Sequence, residues 1–491
     1  MSLQIPDEIA TCRNLVAGEW QPSTGELLDV ISPYTGAAIG RVPMSSADEV
    51  QEVVRAASAA AASWQATPIK ERTQILLRWR ELMLAHLDDL SNVVALESGK
   101  TLGEARAGVL KGIEVAEYAA SLQNLDSGGA LEVSRGVTCQ VRREPMGVVA
   151  GITPFNFPAM VPMWQFPIAV TLGNAFILKP SEKVPLSADY MARLMVEAGY
   201  PAGVFSVVHG GREAVEALVD HQEVRAVGFV GSTAIARAVY TRASTLGKRA
   251  LALGGAKNPI IVVPDADPEV TIDGVVRSFT GCAGQRCMAA SLLVAVGDVD
   301  HLIDGIIERA GAIELGQDMG AIIDETALVR LRGAIEQATG EGAELRLDGR
   351  SVSAPNEYQN GYWLGPTILD RAQPDWQCAR SELFGPILTI VRVDTLEQAV
   401  ALEANSGYGN AASVFTTQGA VARYVTERVG AGMVGVNIGV PVPREPFSFG
   451  GTRTSRFGHG DITGQGGVEL WSYLKKITTK WQMQSDLNWM S

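Results

Sequence analysis

Apolar residues recur at helical spacing over residues 50–64, directly after Ser46-Ala47-Asp48-Glu49, where a serine and a glutamate three positions on can cap each other's backbone N–H groups. The pattern predicts a helix starting at that box and a second long helix running from Ile69 towards Leu96. Residues 137–149 alternate loosely instead and are rich in Val and Arg, as strands with one wet face do; they predict a hairpin projecting from the body. From Met146 onward, short apolar runs (residues 147–153, 175–178, 204–208 and 224–230) end in Gly- or Pro-bearing turns followed by helical patterns. Such βα units imply a parallel sheet that takes ligands at the carboxyl ends of its strands, and a nucleotide is the natural guess. The alternation returns at residues 259–263, 291–296, 387–393, 412–415 and 433–436, which predicts a second α/β domain. No fixed-period repeat or low-complexity linker marks a boundary between the two.

Composition narrows the class. In 491 residues, 46% are hydrophobic, enough for two or three buried cores, and 52 glycines suit the tight turns and close backbone approaches of α/β folds around nucleotides. The net charge of −13 and the lack of any basic run argue against a nucleic-acid surface. No apolar stretch nears the roughly 20 residues that span a bilayer and the N-terminus has no apolar leader segment, so a cytoplasmic location is expected. Five scattered cysteines do not make a disulfide framework, and the five histidines form no His-x-x-x-His pair, so reduced thiols and no metal are expected.

Four short segments can carry chemistry. Gly231-Ser232-Thr233 joins a strand to a helical pattern over residues 234–240 and offers backbone N–H groups and a helix dipole to a pyrophosphate. Lys179-Pro180-Ser181-Glu182 ends another strand. Its lysine and carboxylate can clamp ribose hydroxyls, and Glu182 on a 2′-hydroxyl would repel the 2′-phosphate of NADP. Pro154-Phe155-Asn156-Phe157-Pro158 is a rigid loop presenting one amide, able to donate to a developing oxyanion. Cys287 stands in Gly284-Gln285-Arg286-Cys287-Met288-Ala289, where Arg286 and a glycine-bearing backbone can favour a thiolate. Each has a bland alternative. Isolated cysteines are usually packing residues, and such tetrapeptides are usually turns.

Together these segments resemble the aldehyde dehydrogenase superfamily almost end to end. The Asn156 loop, Leu178-Lys179-Pro180-Ser181-Glu182, Gly231-Ser232-Thr233, Gly284-Gln285-Arg286-Cys287, Glu382-Leu383-Phe384-Gly385-Pro386 and residues 405–416 occur in family order. The resemblance implies an α/β fold of two Rossmann-like domains with a projecting β-hairpin for oligomerisation. It implies an NAD-binding domain from residues 1–122 and 146–254, a catalytic domain over 255–465, and an oligomerisation element from 123–145 and 466–491, in homodimers or homotetramers. It also implies roles: Cys287 as nucleophile; Asn156 with the Cys287 N–H as oxyanion hole; Lys179, Ser181 and Glu182 at the adenosine ribose; Ser232 at the pyrophosphate; Glu382 and Phe384 at the nicotinamide end.

Gly254-Gly255-Ala256-Lys257-Asn258, Arg286-Cys287-Met288-Ala289 and Pro441-Val442-Pro443 followed by Pro446-Phe447-Ser448-Phe449 resemble the CoA-acylating methylmalonate-semialdehyde branch. That likeness implies NAD as oxidant, CoA as acyl acceptor, and a malonate or methylmalonate semialdehyde that loses its carboxylate as carbon dioxide. Arg286 and Lys111 would steer the anionic end, with Trp164 and Phe449 lining the aldehyde's path. Lys111 stands where the branch has an arginine; it keeps the charge but not the bidentate fork. Hydrolytic relatives carry a water-activating glutamate just before Leu-Gly-Gly, a position read here as Ala252, which cannot take a proton. Two other outcomes stay open: hydrolysis of another anionic or aliphatic aldehyde to the free acid, and a non-catalytic NAD-binding relative.

Overall fold

A computed structural model describes residues 3–5, 8–125 and 128–481. The first sheet has a core of five parallel strands. They lie side by side as Arg249–Leu253, Val224–Val230, Val148–Ile152, Ala175–Lys179 and Phe205–Val207. Arg456–Phe457 extends one edge, Asn14–Val16 and Glu19–Gln21 the other, all antiparallel. Counted along the chain, the parallel strands so named run fifth, fourth, first, second, third. The order reverses between Val148–Ile152 and Val224–Val230, and the loops leaving these neighbours diverge to opposite faces, opening a crevice at their carboxyl ends. The strands are buried on both faces, as expected when helices cover both sides. On one face Phe166, Phe176 and Phe205 pack ring against ring with Trp79.

The second sheet has seven strands in the order Glu344–Leu347, Thr367–Asp370, Ile387–Val393, Leu292–Val296, Pro259–Val262, Ala411–Phe415 and Met433–Val436, parallel except for the first. Its amino ends carry Asn258, the 287–291 segment, Pro386 and Asn410. The fold is therefore α/β with two doubly covered sheets, as expected from the alternation of elements.

The projecting hairpin is present with an added strand. Gly129–Ser134 and Val137–Pro145 pair antiparallel, and Ser472–Lys480 completes a third strand along Val137–Pro145. The alternating stretch stops at Pro145, because Gly147 turns the chain (φ 108°) into the buried Val148–Ile152 strand. Leu131 and Val133 on the edge strand are exposed.

The capping box at Ser46 is made on both sides and starts the helix Ala47–Ala66. The second predicted helix is two: Ile69–Ala85 and Leu87–Ser98, broken at His86 (φ −104°, ψ 22°). The apolar spacing continues through the break because both pieces pack on one core, so periodicity alone does not reveal it. The helix Leu102–Leu125, rich in glycine and alanine, was not anticipated. Among the described residues no helix is long and apolar enough to cross a membrane.

Candidate active site

A cleft of about 960 Å³ opens where the carboxyl ends of the first sheet face the amino ends of the second. It gathers eight of the anticipated residues: Asn156, Lys179, Ser181, Glu182, Ser232, Cys287, Glu382 and Phe384. The switch point supplies the first half. The Val148–Ile152 strand runs into the Asn156 loop, and Val224–Val230 runs into Gly231 and Ser232, with Ser232 at the N-cap of the helix Thr233–Thr245. Ser232 makes no capping bond of its own, which leaves the first N–H groups of that helix directed at the cleft.

Lys179, the last residue of its strand, is buried, and its Nζ lies 3.3 Å from Glu182 Oε2. Burial lowers its pKa and the Glu182 carboxylate opposes the shift. Ser181 Oγ accepts from the Lys183 N–H at 3.3 Å, which tightens the turn.

Glu382 reaches across to the segment that links the two sheets. Its Oε1 accepts the Ala256 N–H at 2.9 Å, and a Cβ at Gly255 would stand 2.2 Å from Oε2, so only glycine lets this carboxylate lie against the backbone. Burial pushes the Glu382 carboxyl up to about 7, against the pull of the Ala256 N–H, Lys257 and Arg330. Lys257 is itself buried without a hydrogen-bond partner for Nζ, and burial pushes it down to about 8. Phe384 sits at positive φ (57°), edge-on to Phe155 with ring centres 5.7 Å apart.

The nucleophile segment is bent by three consecutive left-handed residues: Cys282 (φ 54°), Ala283 (φ 52°) and Gly284 (φ 67°). A Cβ at Gly284 would meet Gly385 O at 2.1 Å, so this turn closes directly on the Phe384 loop. Gln285 anchors it, donating to Ala321 O (3.1 Å) and accepting from Ile323 N (3.0 Å). The Cys287 carbonyl is held by two amides, Asn258 Nδ2 at 2.8 Å and Asn410 Nδ2 at 2.9 Å. With its backbone fixed on that side, the Cys287 thiol is left to the cleft. Asn156 is buried, and its Nδ2 donates to Gln285 O at 3.1 Å; an amide nitrogen carries two hydrogens, so one stays available.

Burial and the Glu382 carboxylate push the Cys287 thiol up to about 12, against the nearby backbone N–H groups and Arg286. The electropositive surroundings anticipated from Arg286 are weak for a visible reason. Arg286 Nη2 donates to the carbonyls of Arg277 and Ser278, at the end of the helix Pro268–Thr280.

The residues anticipated for the aldehyde lie outside the lining of this cleft. Trp164 and Phe449 pack with ring centres 4.5 Å apart, tilted by 35°, within the apolar cluster against which Cys287 packs. Lys111 Nζ pairs with Glu114 Oε2 at 2.8 Å and with Glu445 Oε2 at 3.6 Å. Ala252 pairs in register with Phe229, which lines the same cleft as Cys287. It belongs to the cluster with Phe229 and Ala236, while Leu253 joins the cluster of Trp164, Met288 and Phe449. Successive strand residues alternate faces, and neither Ala252 nor Leu253 has a side-chain proton acceptor.

Asn258, Asn410 and Gln285 were not singled out from the sequence. An asparagine ahead of each of two strands is the only local signal. Elsewhere Cys12, Asp189 and His209 form a buried cluster that spacing along the chain does not reveal. His209 Nε2 lies 2.8 Å from Asp189 Oδ1, a hydrogen-bond contact.

The model of the aldehyde dehydrogenase family matches residues 20–477. The chain belongs to the aldehyde dehydrogenase family. This aldehyde dehydrogenase is 41% identical to malonate-semialdehyde dehydrogenase 2 of Geobacillus kaustophilus (strain HTA426), over 96% of its own length and 99% of the relative's. It is 39% identical to a Dictyostelium discoideum protein that carries the name of an acylating methylmalonate- and malonate-semialdehyde dehydrogenase, over 96% and 91% of the two chains. A Sinorhizobium meliloti 1021 protein of the methylmalonate-semialdehyde dehydrogenase kind, solved with NAD bound, superposes with a TM-score of 0.95 at 36% identity, covering 98% of this chain and all of that one.

Proposed function

We propose that the protein oxidises malonate or methylmalonate semialdehyde with NAD and passes the acyl group from Cys287 to CoA. The observation that carries this reading is a cysteine and an amide at the meeting of two sheets, with no carboxylate on the adjoining strand at Ala252 or Leu253 to activate water. The names of the relatives supply the substrate class.

The cleft suits a dinucleotide. Lys179, Ser181 and Glu182 offer an ammonium, a hydroxyl and a carboxylate to a ribose, the uncapped helix end beside Ser232 offers N–H groups to a pyrophosphate, and Glu382 offers a carboxylate beside Phe384. When bound there, NAD supplies the hydride acceptor. Cys287 Sγ attacks the aldehyde carbon as a thiolate, and the oxygen that becomes anionic is stabilised by Asn156 Nδ2 and the Cys287 N–H. Burial holds the thiol above its ordinary value, which favours the thiol form in the free protein. After oxidation the acyl group is a thioester on Sγ. A thiol attacks it more readily than neutral water and needs less help from a base, so the missing carboxylate favours acyl transfer. Lys111 and Arg286 are the cations assigned to the substrate carboxylate, which they would reach by exchanging their present partners.

By the same reading, residues 1–122 with 146–254 act as the NAD unit and 255–465 as the catalytic unit. Residues 123–145 with 466–491 join copies into a homodimer or homotetramer through the exposed three-stranded sheet; residues 126–127 and 482–491 lie outside the described residues. Five free cysteines suit a reducing cytoplasm.

NADH absorbance with malonate, methylmalonate and succinate semialdehydes and an uncharged aliphatic aldehyde, each with and without CoA, tests the proposal. It expects malonate-type aldehydes to lead and acyl-CoA to form. If CoA alters neither rate nor product, acyl transfer is wrong.

A further inference from the structure

We propose that Lys100 and Glu104 are positioning residues for the oxyanion site, one gripping each of the two loops that form it. The inference rests on the roles given above to Asn156 and Cys287. The helix Leu87–Ser98 stops at Gly99 (φ 77°), and the next helix begins at Leu102, so Lys100 and Thr101 form a two-residue corner. Lys100 is buried. Its Nζ donates to Asn156 O and lies 4.4 Å from the centre of the Phe157 ring.

Thr101 and Glu104 form a capping box: Thr101 N donates to Glu104 Oε2 at 3.1 Å, and Glu104 N donates to Thr101 Oγ1 at 3.3 Å. That box uses one carboxylate oxygen. The other, Oε1, accepts the N–H of Cys282 at 2.6 Å, the first residue of the left-handed turn that leads to the nucleophile.

One corner thus holds the Asn156 loop by a cation and the Cys287 turn by an anion. The link from Asn156 Nδ2 to Gln285 O closes the ring between them. The corner is itself pinned from outside, by Tyr34 Oη donating to Lys100 O (2.9 Å) and by Ala321 N donating to Gly99 O (2.7 Å). Capping the helix does not require Oε1, and a lysine is costly to bury. Both groups are explained if they set the distance between Asn156 and Cys287, which the oxyanion needs to within a fraction of an ångström.

A double-mutant cycle on the full-length protein tests this, reading the single-turnover NADH burst and, separately, the NAD dissociation constant from tryptophan quenching. Lys100→Met is expected to slow the burst at least about tenfold with NAD affinity within about twofold of native. In an Asn156→Ala background it should add less than about twofold, because the amide it positions is gone. Glu104→Gln, which keeps one acceptor oxygen, should show a smaller loss erased in the same background, and it carries the test if Lys100→Met does not fold. A native burst rate in a folded Lys100→Met, or in Glu104→Gln where Lys100→Met does not fold, overturns the proposal. So does a loss that persists in full in the Asn156→Ala background. An unchanged burst in Asn156→Ala alone removes the oxyanion reading itself, and the positioning role with it.

Discussion

The groups assigned to the cofactor line the cleft and find their partners along it, Lys179 in Glu182 and Glu382 in the Ala256 N–H, whereas those assigned to the substrate carboxylate are held by partners outside the cleft lining. Lys179, Glu182 and Glu382 all line the cleft. Lys111 is paired with Glu114 and Glu445, and Arg286 is bonded to two helix carbonyls. The lesson concerns where specificity resides. On the proposed assignment the dinucleotide groups already line the cleft, while recognition of an anionic aldehyde requires Lys111 and Arg286 to exchange their partners, and each exchange subtracts from affinity. Chemistry and substrate choice should therefore respond very differently to mutation.

The largest effect is expected at the nucleophile. Cys287→Ala should reduce NADH formation by about 10⁴-fold or more with every aldehyde, and retained turnover would remove the thioester mechanism. Asn156→Ala should slow the burst by about 10²–10³-fold with little change in NAD affinity, the signature of a group that acts on developing charge.

A pH experiment comes next. The thiol is raised to about 12, so only a small thiolate fraction exists near neutrality, and that fraction grows as pH rises. Alkylation of Cys287 by iodoacetamide in the absence of NAD should speed up about tenfold per pH unit between pH 7 and 9 without levelling. A plateau in that window would show that the free protein already holds a thiolate. The smallest effects belong to the substrate cations. Lys111→Met should raise KM for malonate semialdehyde only about threefold, because its closer pair, with the exposed Glu114, is of a kind worth little, and Glu445→Gln, which removes the competing charge, should lower it by a similar factor. A hundredfold effect at either residue would show that the comparison drawn above understates the substrate side.

Most of the strands were legible because each is a short apolar run closed by glycine or proline. Val224–Val230, Ile387–Val393 and Met433–Val436 have the bounds their patterns suggest. Placement in the cleft followed motif order, since the groups lie at strand ends and a parallel sheet brings such ends together. What stayed hidden depends on contacts between distant segments. The strand Ser472–Lys480 earns its place from a partner over 300 residues earlier, and nothing in its own alternation names that partner. The helix Leu102–Leu125 has no continuous polar face for a periodicity argument to use, because its exposed stripe includes Gly103 and Ala107 among the polar residues. Glu104 could have been noticed, since Thr101-x-x-Glu104 repeats the capping pattern read correctly at Ser46. Its second oxygen has no sequence signature.

The left-handed turn at residues 282–284 also bears on how this enzyme can be diversified. Conformation alone disfavours side chains there by about 1–2 kcal/mol per residue. Gly284 has no room for a Cβ, and Ala283 is fully buried. A library randomised around Cys287 would lose most of its folded members at these positions, and survivors should be confined to glycine and the smallest side chains. Variation aimed at new aldehydes is better spent on Lys111, where the backbone is helical, and Phe447, whose side chain already meets solvent.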